Sequence, residues 1–317
     1  MSTPLTAAAA QMECQDGKVE ENLAHAALLV AEAVKRAAQL IIFPEFMPQG
    51  YRLTRELWDC AEPFDGPTTA WLRGMAKQHN LYVGTSFLES DGSHFFNSFA
   101  LAGPDGSIAG CVRKRSPSIW EAYFFKGCRG PQSFDTEIGR IGVGICFDNH
   151  TYEVAGAIAA SAIDLMLMPH SYCTPTQPSK MVSQADIDRL NDLPGRVARL
   201  YNEWFGVPVL LVNKSGPWDS PVPKTILGQP AGYAFSGRSA VIDSDGSVRS
   251  ELGSEEGLAV AEICLDPQRK KSTRPPKYSR YIYPGPPGRE LLKYIEGIGA
   301  LNYALSGVRK RKAAACV

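Results

Sequence analysis

Three residues combine a reactive side chain with a suggestive setting. Glu45 follows Ile41-Ile42-Phe43-Pro44, directly beyond an apolar β-branched run. Lys114 ends the stretch Gly110-Cys111-Val112-Arg113-Lys114. Cys146 closes Gly142-Val143-Gly144-Ile145-Cys146 and precedes Phe147-Asp148. A free thiol titrates near pH 8.5, roughly, so little of it is nucleophilic thiolate at neutral pH. A carboxylate that takes its proton and an ammonium that favours the anion correct this deficit. The three types together suit attack of sulfur on a carbonyl carbon. Taken singly, each has an ordinary explanation. A cysteine in an apolar strand is usually a small buried hydrophobe. A strand-end glutamate can simply face water. Arg113-Lys114-Arg115 reads as a solvated charge run. The joint pattern is what points to a site.

Other catalytic signatures are missing. The sequence has no G-x-S-x-G, no Walker A loop, no G-x-G-x-x-G and no H-E-x-x-H. Only 5 His occur, so the base falls to a carboxylate or a lysine. The 8 cysteines (14, 60, 111, 128, 146, 173, 264 and 316) form no C-x-x-C pair and no zinc-like spacing. No metal and no organic cofactor is expected. Lys+Arg is 33 and Asp+Glu is 33, so no net field draws the chain to nucleic acid or an anionic membrane. The apolar stretch from Leu23 to Phe43 is broken by Glu32, Lys35 and Arg36 and is not a membrane span. The first ten residues lack a charged start and an apolar run of signal-peptide type. Scattered thiols without such a signal imply a soluble protein of the reducing cytoplasm.

These residues need elements to bring them together. Residues 5–12 read as a buried strand. Residues 18–38 carry helical periodicity through Leu23, Ala26, Ala27, Val30, Val34 and Ala37, and a second strand runs into Pro44. Strand, helix and strand make a βαβ unit. A helix is expected over 67–79. Strands follow at 81–90, 94–103 and 107–115, with turns at Asp91-Gly92 and Asp105-Gly106. Cys146 is read as the end of a strand over 139–147, before a helix from about Tyr152 to Ala162. Strands at 164–169, 207–216 and 257–265, a helix near 195–205 and a hairpin over 236–252 complete the pattern. Segments 173–194 and 216–232 read as loops, the first with a short helix. From Asp266 the chain is Pro-rich and basic, an extended arm with a short helix near 289–296. The cluster Arg309-Lys310-Arg311-Lys312 reads as a solvated, flexible tail. Helix and strand alternate to residue 265 without a linker, so one α/β domain over 1–265 with an arm over 266–317 is expected. Ligands of open α/β sheets bind beyond the carboxyl ends of the strands. Glu45 and Cys146 leave strands that can share such an edge, while the direction of the Lys114 strand is open.

The chain resembles the nitrilase superfamily of carbon–nitrogen hydrolases over about residues 5–265. The resemblance rests on Asn22–Glu45 with the following Gly50-Tyr51, on Phe95–Arg115, on Gly139–Glu153, and on later blocks near 164–172, 198–216 and 235–248, all in order. It implies an α-β-β-α sandwich on two mixed sheets. It implies a Glu45–Lys114–Cys146 triad and a second glutamate between lysine and cysteine, for which Glu121 is the matching residue. It also implies at least a homodimer, with the arm from Asp266 crossing the partner. Thr151-Tyr152 stands where the family often has Phe-Pro, and the two loops look enlarged.

The chemistry expected is hydrolysis of a small carboxamide to acid and ammonia. Glu45 deprotonates Cys146, and Lys114 with the Phe147 N–H holds the oxyanion. A thioester forms and is then hydrolysed by water activated at Glu45. Glu121 orients Lys114 or the substrate amine. Tyr51, Trp120, Asn149, His150, His170 and Tyr172 are candidate pocket residues by proximity in sequence, and Tyr123 and Phe124 lie near them. Nitrile-cleaving members typically carry Cys-Trp-Glu, whereas Cys146-Phe147-Asp148 is nearer the amidase pattern. N-carbamoyl hydrolysis is a further alternative, weakened by Asn149 and His150 where basic residues are common. A silent scaffold would have lost a triad member, and none is lost.

Overall fold

The computed structural model describes residues 2–180, 182–221, 232–285 and 289–316. The elements run β1 (Thr3–Gln11), α1 (Val19–Lys35), β2 (Leu40–Ile42), α2 (Pro67–His79), β3 (Tyr82–Ser90), β4 (Phe95–Ala102), β5 (Ile108–Arg113), β6 (Ser133–Thr136) and β7 (Gly139–Val143). They continue α3 (Tyr152–Ser161), β8 (Leu165–Pro169), β9 (Cys173–Pro175), α4 (Gln184–Phe205), β10 (Val209–Val212), β11 (Tyr233–Phe235), β12 (Ala240–Ile242), β13 (Val248–Glu251), β14 (Gly257–Leu265), α5 (Arg289–Leu305) and α6 (Gly307–Ala314).

Two six-stranded mixed sheets form, in the orders β14-β1-β2-β3-β4-β5 and β13-β12-β10-β8-β7-β6. Side-chain alternation along each strand builds the layers. Ala7, Ala9, Leu40, Ile42, Phe99 and Leu101 point inward against Ile141, Val143, Leu165, Leu167, Leu210 and Val212 of the other sheet. Ala8, Ala10, Ile41 and Val83 point outward and meet Leu23, Ala26, Val30 and Ala33 of α1 and Leu72 and Ala76 of α2. Met166, Met168, Val209 and Leu211 meet Val154 and Ile158 of α3 and Val197, Ala198, Tyr201 and Phe205 of α4. The result is a single-domain α-β-β-α sandwich.

Strand direction explains why the reactive residues share an edge. β2 runs parallel to β3, β4 is antiparallel to β3, and β5 is antiparallel to β4. β5 therefore runs with β2, which closes the open question about Lys114. In the other sheet β7, β8 and β10 are mutually parallel.

Four local expectations are corrected. The β7 ladder ends at Val143, and Cys146 opens a 3₁₀ turn over Cys146–His150 rather than ending a strand. The helix after the first loop begins at Gln184, not near 195. Ser183 and Asp186 form a reciprocal capping box, and Pro194 is carried inside the helix. The polar, Pro- and Ser-containing composition of 173–194 hid this start. Beyond residue 266 the chain forms a long helix, α5, and then α6, not one short helix. The basic cluster lies on α6. Arg309 is buried, donates to the Ser93 carbonyl and stacks 4.8 Å from the Tyr303 ring centroid, so it is not a solvated tail. Short β6, β9 and β11 escaped the sequence reading, β9 and β11 pairing as a separate ribbon. Much of the 216–232 loop lies outside the described residues.

The sheets approach closely where β5 faces β6. A Cβ on Gly110 would lie 2.1 Å from the Phe134 ring. Gly110→Val is therefore expected to cost about 1–3 kcal/mol by overpacking. Gly74→Ala, on α2 with nothing within 4 Å of the added carbon, should stabilise by about 0.4–1 kcal/mol. Denaturation midpoints moving in opposite directions would bear this out; equal midpoints would contradict the packing.

Candidate active site

Parallel strands deliver the site. β2 ends at Ile42 and releases Phe43, Pro44 and Glu45. β5 ends at Arg113 and releases Lys114. β7 leads through Gly144 and Ile145 to Cys146. β8 is followed by His170 and Ser171, and β10 by Asn213 and Lys214. Glu45, Lys114 and Glu121 are fully buried, and Cys146 is 6% exposed.

Lys114 is the centre of the cluster. Its Nζ donates to Glu45 Oε1 at 2.7 Å and to Glu121 Oε1 at 2.9 Å, with Glu121 Oε2 at 2.8 Å. Burial works against its charge, but Glu121 and Glu45 outweigh it and hold the ammonium above its ordinary range. Asn97 Nδ2 donates to Glu45 Oε1 at 2.7 Å, and the Ser171 N–H donates to Glu45 Oε2 at 2.9 Å. The Cys146 thiol is close enough to the same carboxylate for each to influence the other's charge. Burial raises Glu45 above the usual carboxylate range; Lys114 opposes this and Glu121 adds to it. Burial also raises the Cys146 thiol, with Glu45 adding to the rise and Lys114 and the Ser171 N–H opposing it. Both shifts disfavour a resting thiolate and leave the Glu45 carboxylate more basic than usual. Passing the proton from sulfur to Glu45 leaves the net charge of the buried cluster unchanged.

The turn that holds Cys146 is made by its neighbours. Cys146 has φ +50°, in the left-handed region. Asn149 Nδ2 reaches back to the Gly144 carbonyl at 2.7 Å, and a Cβ on Gly144 would lie 1.9 Å from Asn149 Oδ1. Only glycine lets that side chain close the turn. Buried Asp148 accepts from the Ser116 N–H at 2.7 Å and the Arg115 N–H at 3.0 Å, tying the nucleophile turn to the segment just after Lys114. Burial, opposed by Lys114 and these two N–H groups, leaves the Asp148 carboxyl raised to about 7. Among the described residues the Phe147 N–H has no backbone acceptor.

The other candidates separate in position. Tyr51 donates to Glu121 Oε1 at 2.6 Å and so braces the second carboxylate. Ser118 N–H donates to Glu121 Oε2 at 2.5 Å. Trp120, Phe147 and Tyr172 are half-buried. His150 stacks between Phe147 and Tyr172, and its Nδ1 lies 2.8 Å from the Tyr283 hydroxyl. His170 Nε2 lies 3.1 Å from Asn149 Nδ2 and so acts as acceptor, leaving its proton on Nδ1. Burial pushes His150 down to about 4 and His170 well below its usual range, so both rings are neutral. Tyr123 packs against Gly299 of α5. Glu153 sits outside the cluster, exposed, beside Arg115 at 3.5 Å.

Asn97, Ser171 and the brace formed by Asp148 were not assigned roles from sequence. Asn97 offered a signal, as a lone amide in the apolar run Phe95–Ala102. Ser171 offered none, because its contribution is a backbone N–H.

The chain is similar to known proteins both in sequence and in fold. A carbon-nitrogen hydrolase family model matches residues 6–271. A nitrilase from Pyrococcus abyssi is 30% identical over 266 residues, covering 82% of this chain and 90% of that protein. An N-carbamoylputrescine amidase from Solanum lycopersicum is 28% identical, covering 84% of this chain and 88% of that protein. Among solved structures, a carbon-nitrogen hydrolase from Helicobacter pylori G27 superimposes with a TM-score of 0.72 at 20% identity, covering 96% of each chain. An amidase from Nesterenkonia AN1 superimposes with a TM-score of 0.65 at 20% identity, covering 82% of this chain and 90% of that one. The matched segment contains every strand that delivers the buried cluster, and the chain belongs to the carbon-nitrogen hydrolase family of the nitrilase superfamily, enzymes that hydrolyse carbon–nitrogen bonds.

Proposed function

We propose that the bond cleaved is that of a small carboxamide, with Glu45, Lys114, Cys146 and Glu121 as the working residues. One observation carries the reading: the Glu45 carboxylate accepts from the Lys114 ammonium at 2.7 Å inside the same buried cluster as the Cys146 thiol, whose charge it opposes. Glu45 takes the thiol proton as sulfur bonds to the carbonyl carbon. The charge that develops on oxygen meets Lys114 and the Phe147 N–H, donors worth about 3–4 kcal/mol each. Glu45 passes its proton to the leaving nitrogen, the C–N bond breaks and ammonia departs. Water, deprotonated by Glu45, attacks the thioester; the C–S bond breaks and sulfur recovers its proton. Glu121, held by Tyr51 and Ser118, fixes Lys114. In a Glu-to-Gln variant of a Nesterenkonia amidase the acetamide moiety of fluoroacetamide is added covalently at the active-site cysteine, which supports a nucleophilic sulfur.

The charges near Cys146 favour a neutral amide. Asn149, His150 and His170 carry no charge, and the Arg280 guanidinium over the Phe147 ring is paired with Glu296. A carboxylate close to the reacting carbon has no free cation to meet among these residues. The curated relatives include a nitrilase and N-carbamoylputrescine amidases, so nitriles and carbamoyl compounds are the alternatives. The cysteines are free, which suits the cytoplasm, and among the described residues no helix is long and apolar enough to cross a membrane. A homodimer is part of the proposal. α5 exposes Leu291, Tyr294, Ile298, Leu301 and Leu305, at alternating spacings of three and four, on the face turned away from its own chain.

Assayed against amides, nitriles and carbamoyl amines, the protein should release ammonia and acid from short carboxamides; turnover of nitriles alone would refute the assignment. Glu45→Gln should reduce kcat/KM by about 10²–10⁴-fold and slow alkylation of Cys146 by iodoacetamide. Glu121→Gln removes a charge that raises Glu45, so the acid limb of the pH–rate profile should move to lower pH while kcat falls. A limb that stays in place or moves upward would show that Glu121 does not act on the base. Ile298→Glu combined with Leu301→Glu should convert a dimer to monomer by light scattering; an unchanged mass would place the contact elsewhere.

A further inference from the structure

Lys214 is a fully buried cation that the reaction above does not use. It follows β10, on the same edge as the reactive cluster. Its Nζ donates to the Phe46 carbonyl at 3.1 Å. It also lies 5.8 Å from the Tyr51 ring centroid and 5.6 Å from that of Phe235. Its charged and titratable neighbours are Cys14, Asp16 and Glu45, beside Tyr51 itself. A buried ammonium carries a desolvation cost that an aliphatic side chain would not, so its retention calls for a reason.

The reason lies in what Phe46 connects. Phe46 follows Glu45 directly and has φ +48°, a conformation a side chain of that size rarely adopts. Such a residue persists only where its surroundings hold it. Its N–H donates to Ser86 Oγ at 2.9 Å, and its carbonyl accepts from the Gly50 N–H at 3.0 Å as well as from Lys214. The chain then returns to Tyr51, whose N–H donates to Asp16 at 2.8 Å and whose hydroxyl donates to Glu121. One turn, residues 46–50, therefore has Glu45 at its start and the brace of Glu121 at its end.

We propose that Lys214 is a positioning residue: by gripping the Phe46 carbonyl it fixes the Glu45–Tyr51 turn, and with it the spacing of the two carboxylates around Lys114. The inference rests on the reading of Glu45 as base.

The test compares Lys214→Met and Lys214→Arg with the native enzyme, with rates expressed per Cys146 thiol titrated. Lys214→Met should lower kcat by about tenfold or more, as small displacements of reacting groups do, with KM little changed. Loss of the nearby positive charge should also move the acid limb to higher pH. Lys214→Arg, which keeps a cationic donor, should recover much of kcat. A Met variant with native kcat and native pH profile, even with a lowered melting temperature, would reduce Lys214 to a structural residue and overturn the proposal. If Lys214→Met does not fold, Ser86→Ala decides: it removes the other anchor of Phe46 and should lower kcat at constant KM, and native kcat there would overturn it. Glu45→Gln run alongside separates the two levels. Cys146 alkylated at the native rate in that variant would refute the base itself; slowed alkylation with a native Lys214→Met would refute only the positioning.

Discussion

A lysine ammonium clamped between two carboxylates, all sealed from water, governs this structure. Removing charged groups from water is costly, and the mutual attraction of Lys114, Glu45 and Glu121 offsets that cost only while every partner stays in place. Burial, with Glu45 beside it, raises the Cys146 thiol, and burial raises Glu45 against the pull of Lys114. In the mechanism proposed above, activation of the sulfur is an internal proton shift that creates no new net charge in a medium poorly able to tolerate one.

The rest of the molecule supplies the rigidity this needs. Parallel strands of two packed sheets present Glu45, Lys114 and Cys146 on one edge, and the inner layer of aliphatic side chains fixes the distance between the sheets. Two residues near the chemistry, Phe46 and Cys146, sit in left-handed backbone conformations. Each is held by side chains from elsewhere: Ser86 and Lys214 for the first, and the Asn149 amide folded over Gly144 for the second. Asp148 ties the nucleophile turn to the lysine strand. The C-terminal helices add support from outside, with Gly299 of α5 packed on Tyr123 just beyond Glu121, and Tyr303 accepting the Phe95 N–H at 2.8 Å.

Much of the fold was legible locally. The bounds of α2 follow from Pro67 at its start and Asn80, left-handed, at its end, and α1 follows from its apolar spacing. Local signals failed where two of them competed. The polar composition of 173–194 read as a loop, although the Ser183–Asp186 cap opens α4 there and the helix runs through Pro194 to bury Tyr201, Trp204 and Phe205. The basic run at 309–312 looked like a solvated tail because its charges were visible in sequence and the Ser93 carbonyl and Tyr303 ring that receive Arg309 were not.

The linear chain by itself determined the identities of the reactive groups, an α/β pattern of alternating strands and helices, and a family resemblance that implied the two-sheet sandwich. Those are properties of residue type and local spacing. Tertiary structure alone decided that β5 runs with β2, that Asn97 and the Ser171 N–H hold Glu45, that Tyr51 braces Glu121 rather than standing free in a pocket, and that the two histidines are neutral. Such facts depend on burial and on contacts between residues tens of positions apart, where the removal of water sets the strength of every charge.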